Sequence, residues 1–265
     1  MSMPGLKPII FYDFSSIVQG KPWSVATMQT RYCLTFKHLP FQTVWLEYSE
    51  VKPLYEQHSL APIVMRNFKG TPVTIHTLPV IMDPNTNRWI KDTFEIAQYL
   101  DEQYPDTPKL MPHNTAALIH IFHTAFYQAI KNTILLACFR CAQKLKPESK
   151  EYYIRTRVER FDVPWMHFAT VKRRVEQWNT LRTAYNTIDG WYAMSRGQFI
   201  LGDTPCFADF IVAGLCKWAQ YCLEDLEWEE MKSWNRGRWG RLMEAIDRYL
   251  DCSRSVEHDA LDLPT

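Results

Sequence analysis

Apolar residues fall in short runs over the first hundred positions and in long helical stripes beyond them. Pro8-Ile9-Ile10-Phe11-Tyr12-Asp13-Phe14 is a compact apolar run that stops at Ser15-Ser16, which predicts a buried strand. A loop holding Gly20 and Pro22 follows, and Ser24 then stands where it can cap a helix running to about His38. Met28, Tyr32 and Phe36 recur at helical spacing and mark one face of it. Phe41 to Tyr48 predicts a second strand. Val51 to Ala61 predicts a short helix with Pro53 in its first turn, where a missing N–H costs little. Pro62 to Ile75 reads as irregular, with Gly70 and Pro72.

Leu78 to Met82 and Arg88 to Ile90 flank the turn chemistry of Asp83-Pro84-Asn85-Thr86-Asn87, which predicts a hairpin. Asp92-Thr93 opens a helix over Phe94 to Gln103. The order β-α-β-α-β-β-α predicts a mixed four-stranded sheet with helices packed on it. Prolines at 105, 108 and 112 mark a connection, so the reading is a first domain over 1–104, a linker over 105–112 and a second domain over 113–265. Helical patterns fill the second domain: Asn114 to Leu145, Ser149 to Ala193, Cys206 to Leu223 and Trp239 to Leu250. Arg155, Arg157 and Arg160, among Glu151 and Glu159, read as a solvated helix face. The expected fold class is therefore α/β followed by all-α.

Composition narrows the function. A formal net charge of +1 on 265 residues gives no electrostatic reason to expect nucleic acid or an anionic membrane as partner. No stretch approaches the roughly 20 apolar residues of a membrane span, and the N-terminus has no signal-peptide pattern. Seven Cys, an odd count in a chain too large to need staples, suit reduced thiols and a cytoplasmic setting. The 10 Trp, 13 Tyr and 14 Phe fill a core or line a pocket for flat organic molecules.

Three places can carry chemistry. Ser24 puts a hydroxyl at a helix N-terminus, where free N–H groups and the helix dipole help a bound thiol to ionise. Pro79 at the start of a strand is a candidate for a cis bond that frees the backbone of Leu78 to pair with a peptide-like ligand. At the next helix start, Thr93 with the helix N–H groups makes a carboxylate site, and Asp92 can take an ammonium group. Each is equally an ordinary cap or strand edge when taken alone.

In this order and spacing the three resemble the glutathione transferase superfamily, across nearly the whole chain. Phe199-Ile200-Leu201-Gly202-Asp203-Thr204-Pro205-Cys206-Phe207-Ala208-Asp209 looks like that family's buried capping motif. Phe11-Tyr12-Asp13, Trp23-Ser24, Thr30-Arg31-Tyr32, Tyr99-Leu100-Asp101, Ser233-Trp234 and Gly237-Arg238-Trp239 resemble its fungal-specific, β-etherase-like class. The resemblance implies a thioredoxin-like first domain, glutathione as cosubstrate, a homodimer and an apolar second-substrate site facing the helical domain. By it, Ser24 matches the catalytic serine, Leu78 and Pro79 the cis-proline loop, and Asp92 and Thr93 the pair holding the γ-glutamyl end. Cys206 and Asp209 match structural capping positions. It also implies detoxification by conjugation or peroxide reduction, or etherase-like activity; a ligandin that binds wood-derived polyphenols with little turnover is the alternative. The subgroup commonly follows the serine with Pro and Asn, where this chain has Val25 and Ala26, and a cap of Ser or Thr where it has Cys206.

Other residues compete for roles. Tyr12 ends the first strand and rivals Ser24 as the thiol activator, with Ser15 and Ser16 as further candidates. Trp23, Phe126, Tyr127 and Trp218 are candidates for the second-substrate pocket. Cys138 and Cys141 have redox-motif spacing but lie within a helical pattern, which makes them structural. His120 and His123 lack a third ligand nearby, so no metal is expected.

Overall fold

The computed structural model describes residues 5–17, 22–67, 69–162, 164–250 and 255–259. β1 (Ile9–Phe14) pairs in parallel with β2 (Phe41–Leu46), Phe11 opposite Thr43. On its other side β1 pairs antiparallel with β5 (Val80–Asp83), which continues into the hairpin partner β6 (Arg88–Lys91). These four strands form the expected mixed sheet. A fifth, β7 (Ser255–Asp259), lies parallel to β2 and completes the order β6-β5-β1-β2-β7. The sequence reading lacked this strand, which is short and earns its place by covering the backbone edge of β2.

α1 (Val25–Phe36) packs between the sheet and the helical half, and every residue from Thr27 to Phe36 is buried. A helix enclosed on all sides must satisfy its polar residues inside. Arg31 does so with the buried Asp13 of β1, at 2.9 Å, and its guanidinium lies near the rings of Phe11, Phe41 and Trp45. Gln29 donates to the carbonyl of Ile211 on α8 (Phe207–Cys222).

Several boundaries differ from the sequence reading. α2 spans Tyr48–Gln57, so Pro53 is inside it and not in its first turn. The reciprocal capping pair Glu47 and Glu50 starts the helix earlier than Pro53 suggested. The segment read as irregular holds the antiparallel hairpin β3 (Ile63–Arg66) and β4 (Pro72–Ile75), and the Asn67 side chain accepts from the amides of Lys69 and Thr71. α3 spans Thr93–Gln103, with Asp92 as its N-cap.

In the helical half, the first long pattern splits into α4 (Ala116–Ile130) and α5 (Leu135–Gln143) around a 3₁₀ turn. The second splits into α6 (Pro147–Phe161) and α7 (Val171–Ala193), broken after the left-handed Asp162. α9 starts at Asp225, well before Trp239, and bends where residues 235–237 turn left-handed. Cys206 caps α8 through a reciprocal box with Asp209, so the thiol serves where the resemblance expected a hydroxyl. All six described cysteines are buried and free.

α8 approaches α1 closely at Gly214. A methyl there would lie 2.8 Å from Gln29 Cγ and 2.9 Å from the Val25 carbonyl oxygen. Gly214→Ala is therefore expected to destabilise by about 1–3 kcal/mol through overpacking. A methyl at Gly190, inside α7, would meet nothing within 4 Å beyond its own helix. Gly190→Ala is expected to be neutral or to stabilise by about 0.5–1 kcal/mol, the usual gain of Ala over Gly in a helix. Urea denaturation of the two variants checks the opposite signs.

Candidate active site

Ser24 ends the loop after β1 with an extended backbone, and its side chain makes no capping bond to α1. The first helical amide bonded to a carbonyl is that of Met28, which donates to Ser24 at 2.9 Å. The amides of Val25, Ala26 and Thr27 stand ahead of that ladder, so hydroxyl and helix terminus together form a donor-rich end that favours an anion.

A cleft of about 510 Å³ opens beside it. One wall belongs to the sheet domain and carries Trp23, Ser24, Leu78, Pro79, Asp92 and Thr93, all singled out from the sequence. The Leu78–Pro79 bond is cis. Leu78 is buried at 1% exposure, and among the described residues its carbonyl accepts a single long 3.3 Å bond, from Thr77 Oγ1. Asp92 Oδ1 accepts from Phe94 N at 2.8 Å as the α3 cap. The Asp92 reading as a plain cap thus holds for one oxygen, and Oδ2 makes no bond to a described residue.

The opposite wall comes from the helices. Tyr127 and Trp218 line it. Phe126 does not: it is fully buried beside Phe122 in the core. One residue along a helix is a rotation of about 100°, which turns Phe126 into the core while Tyr127 lines the cleft. Tyr12 also lies outside the cleft lining, stacked on Trp89 with ring centroids 5.5 Å apart. Burial pushes its pKa up to about 12, so the hydroxyl stays protonated, and its place outside the lining is what sets it apart from Ser24.

Four lining residues had been given structural or solvent roles: His123, Cys138, Arg157 and Arg160. His123 Nε2 is buried without a hydrogen-bond partner among the described residues, and burial pulls its pKa down. Cys138 is buried on α5, and burial pushes its thiol up to about 12, so it is no resting thiolate. Tyr153, Arg157 and Arg160 are spaced i, i+4, i+7 on α6, a stripe that the sequence did carry. Of the three arginines in that charged run only Arg155 is exposed. Among the described residues no three His, Cys, Asp or Glu side chains gather as a metal site, and no helix is long and apolar enough to cross a membrane.

Residues 23–103 match the family described as Glutathione S-transferase, N-terminal domain, and residues 117–249 match Glutathione S-transferase, C-terminal domain. The chain belongs to the glutathione S-transferase family. This transferase is similar to the glutathione S-transferase CsGST63524 of Ceriporiopsis subvermispora, solved in complex with glutathione. The two are 31% identical with a TM-score of 0.85, over 92% of this chain and 98% of the other. Glutathione transferase GSTFuA3 of Phanerochaete chrysosporium is also 31% identical, with a TM-score of 0.83 over 92% and 98% of the two chains. The glutathione S-transferase-like protein ustS of Aspergillus flavus is 28% identical, over 92% of this chain and 91% of its own length. The likeness extends to fungal transferase classes, and the chain is an enzyme of this superfamily.

Proposed function

We propose that this transferase conjugates glutathione to hydrophobic aromatic electrophiles, with Ser24 donating a hydrogen bond to the glutathione thiolate. The observation that supports it most is the uncommitted Ser24 hydroxyl at the α1 N-terminus, inside a cleft whose far wall is aromatic. Glutathione would lie along the sheet-domain wall. Asp92 would take its ammonium group, Thr93 with the α3 N-terminus its γ-glutamyl carboxylate, and the Leu78 backbone its peptide unit. Donors at the sulfur favour the ionised form, so the thiol loses its proton to water at lower pH. The sulfur–carbon bond then forms as the leaving group departs with its electron pair. A peroxide held at the same place would be reduced by the same thiolate.

Ser24→Ala is expected to lower kcat/KM for conjugation about tenfold to a hundredfold. Glutathione affinity should change by less than about threefold, because the other groups still hold the tripeptide. Steady-state rates with a chloronitrobenzene electrophile, alongside calorimetry with glutathione, read both. Unchanged rates would remove Ser24 from the mechanism.

A second reading, that of a ligandin for wood-derived polyphenols, is favoured by the aromatic lining of Trp23, Tyr48, Tyr127, Tyr153, Phe161 and Trp218. Thermal shifts with a panel of phenolics, without turnover of any electrophile, would select it.

A further inference from the structure

The helical wall of the cleft carries positive charge that nothing described in the molecule neutralises. Arg157 and Arg160 both line it, on one face of α6. The Arg157 guanidinium lies 4.2 Å from the centre of the Tyr153 ring and makes a long 3.3 Å bond to Thr156 Oγ1. Arg160 lies 5.5 Å from the centre of the Phe161 ring. Neither forms an ion pair with a described carboxylate, whereas Arg140, Arg174 and Arg238 each do.

The surroundings stay neutral at physiological pH. Burial pushes the hydroxyls of Tyr48 and Tyr153 up, and the Cys138 thiol up to about 12, so none of them offers negative charge. For Arg160, burial and then the charge of Arg157 both pull the pKa down, as two like charges in a half-enclosed space must. Lys131 lines the same cleft and adds to the excess. Asp92 is the carboxylate that lines it, but Asp92 sits at the α3 N-terminus and pairs with neither arginine. A second orphan lies beside them. Trp23 is 3% exposed, its Nε1 has no acceptor among the described residues, and its ring centre is 6.3 Å from that of Tyr153. Two neighbouring guanidiniums with no carboxylate partner among the described residues are costly to keep, and an anion would relieve them.

We propose that Arg157 and Arg160 select a second ligand that is an aromatic acid, its carboxylate held by the two guanidiniums and its ring by Tyr153 and Trp218. Planar guanidinium suits planar carboxylate through paired N–H···O bonds. The proposal rests on the transferase reading for the choice of wall: the groups offered to glutathione lie on the sheet domain, and the arginines lie opposite.

The test uses naphthoate and its methyl ester, which share a ring system and differ in charge, titrated into the full chain at saturating glutathione. Wild type is expected to bind naphthoate about tenfold or more tighter than the ester, as charged hydrogen bonds of this kind allow. Arg157→Gln with Arg160→Gln is expected to abolish that preference and to leave ester affinity within about twofold. Arg157→Lys with Arg160→Lys, which keeps the charge, is expected to restore part of the preference and guards against a misfolded double variant. Equal binding of acid and ester to wild type would overturn the proposal. So would a loss shared by both ligands in the Gln variant. Mutual exclusion of naphthoate and glutathione would also overturn it, by giving the arginines to a carboxylate of glutathione itself. Calorimetry with glutathione alone tests the transferase reading separately. Its failure with the acid preference intact would sink that reading and not this one.

Discussion

Asp209→Ala is expected to cost about 4 kcal/mol or more, enough to leave the chain largely unfolded at physiological temperature. The carboxylate is fully buried and serves three donors from three places in the chain. Oδ1 accepts from the Tyr192 hydroxyl at 2.9 Å and the Ile200 amide at 3.0 Å, and Oδ2 accepts from the Cys206 amide at 2.9 Å. Alanine leaves all three donors enclosed without an acceptor, at roughly 1–3 kcal/mol each. Asp209→Asn is expected to cost less, because its one oxygen can still accept from Tyr192 and Ile200, although its NH2 then opposes the Cys206 N–H, donor against donor. Urea denaturation orders the variants: wild type most stable, then Asn, then Ala. An Ala variant as stable as wild type would refute the account.

Asp209 also leaves a pH signature. Burial pushes its carboxyl up, against the hydrogen bonds that pull it down. The folded chain therefore keeps this proton to higher pH than the unfolded chain does. Across the window from the ordinary carboxylate value up to the raised one, folding takes up a proton, so this group's contribution to stability falls as pH rises. Subtracting the Asn variant's stability profile from that of wild type isolates this slope. Asp13, also pushed up by burial, contributes the same sign in both and cancels.

Arg31→Met is expected to cost about 3–5 kcal/mol, the usual penalty for stranding one member of a buried ion pair. Asp13 and Arg31 are 0% and 1% exposed, so water cannot replace the lost partner. The pair also ties α1 to β1, and Ser24 stands at the N-terminus of α1. Loss of stability should therefore come with loss of conjugation rate beyond the unfolded fraction. Adding Asp13→Asn is expected to recover much of the stability, since the neutral amide costs less to bury and its oxygen can still accept from Phe14 N. Thermal melts of both single variants and the double variant give the coupling directly.

Much of the site could be read from local chemistry. Ser24, Leu78-Pro79 and Asp92-Thr93 each stand where one element ends and the next begins, and such positions are marked by the residue types themselves. The structure lines one cleft wall with all of them. The opposite wall was harder. Tyr127 was separated from Phe126 only by the rotation of α4, and the stripe of Tyr153, Arg157 and Arg160 looked like a solvated face because arginine is usually exposed. Its period was visible, but not which neighbour would cover it. The hairpin of β3 and β4 was missed because Gly70 and Pro72 outweighed its β-branched residues.

By itself, then, the sequence determined most of the elements, their order, and the helix and strand starts that line one wall of the cleft beside Ser24. These depend on residues a few positions apart, whose backbone preferences and hydrogen bonds act locally. Only the tertiary structure decided that α1 is enclosed on every side, that β2 gains a fifth strand from residues 255–259, and that two arginines of α6 face the cleft. Those outcomes depend on which distant segments pack together. Burial, charge and solvation are set by that packing, and no stretch of chain carries them alone.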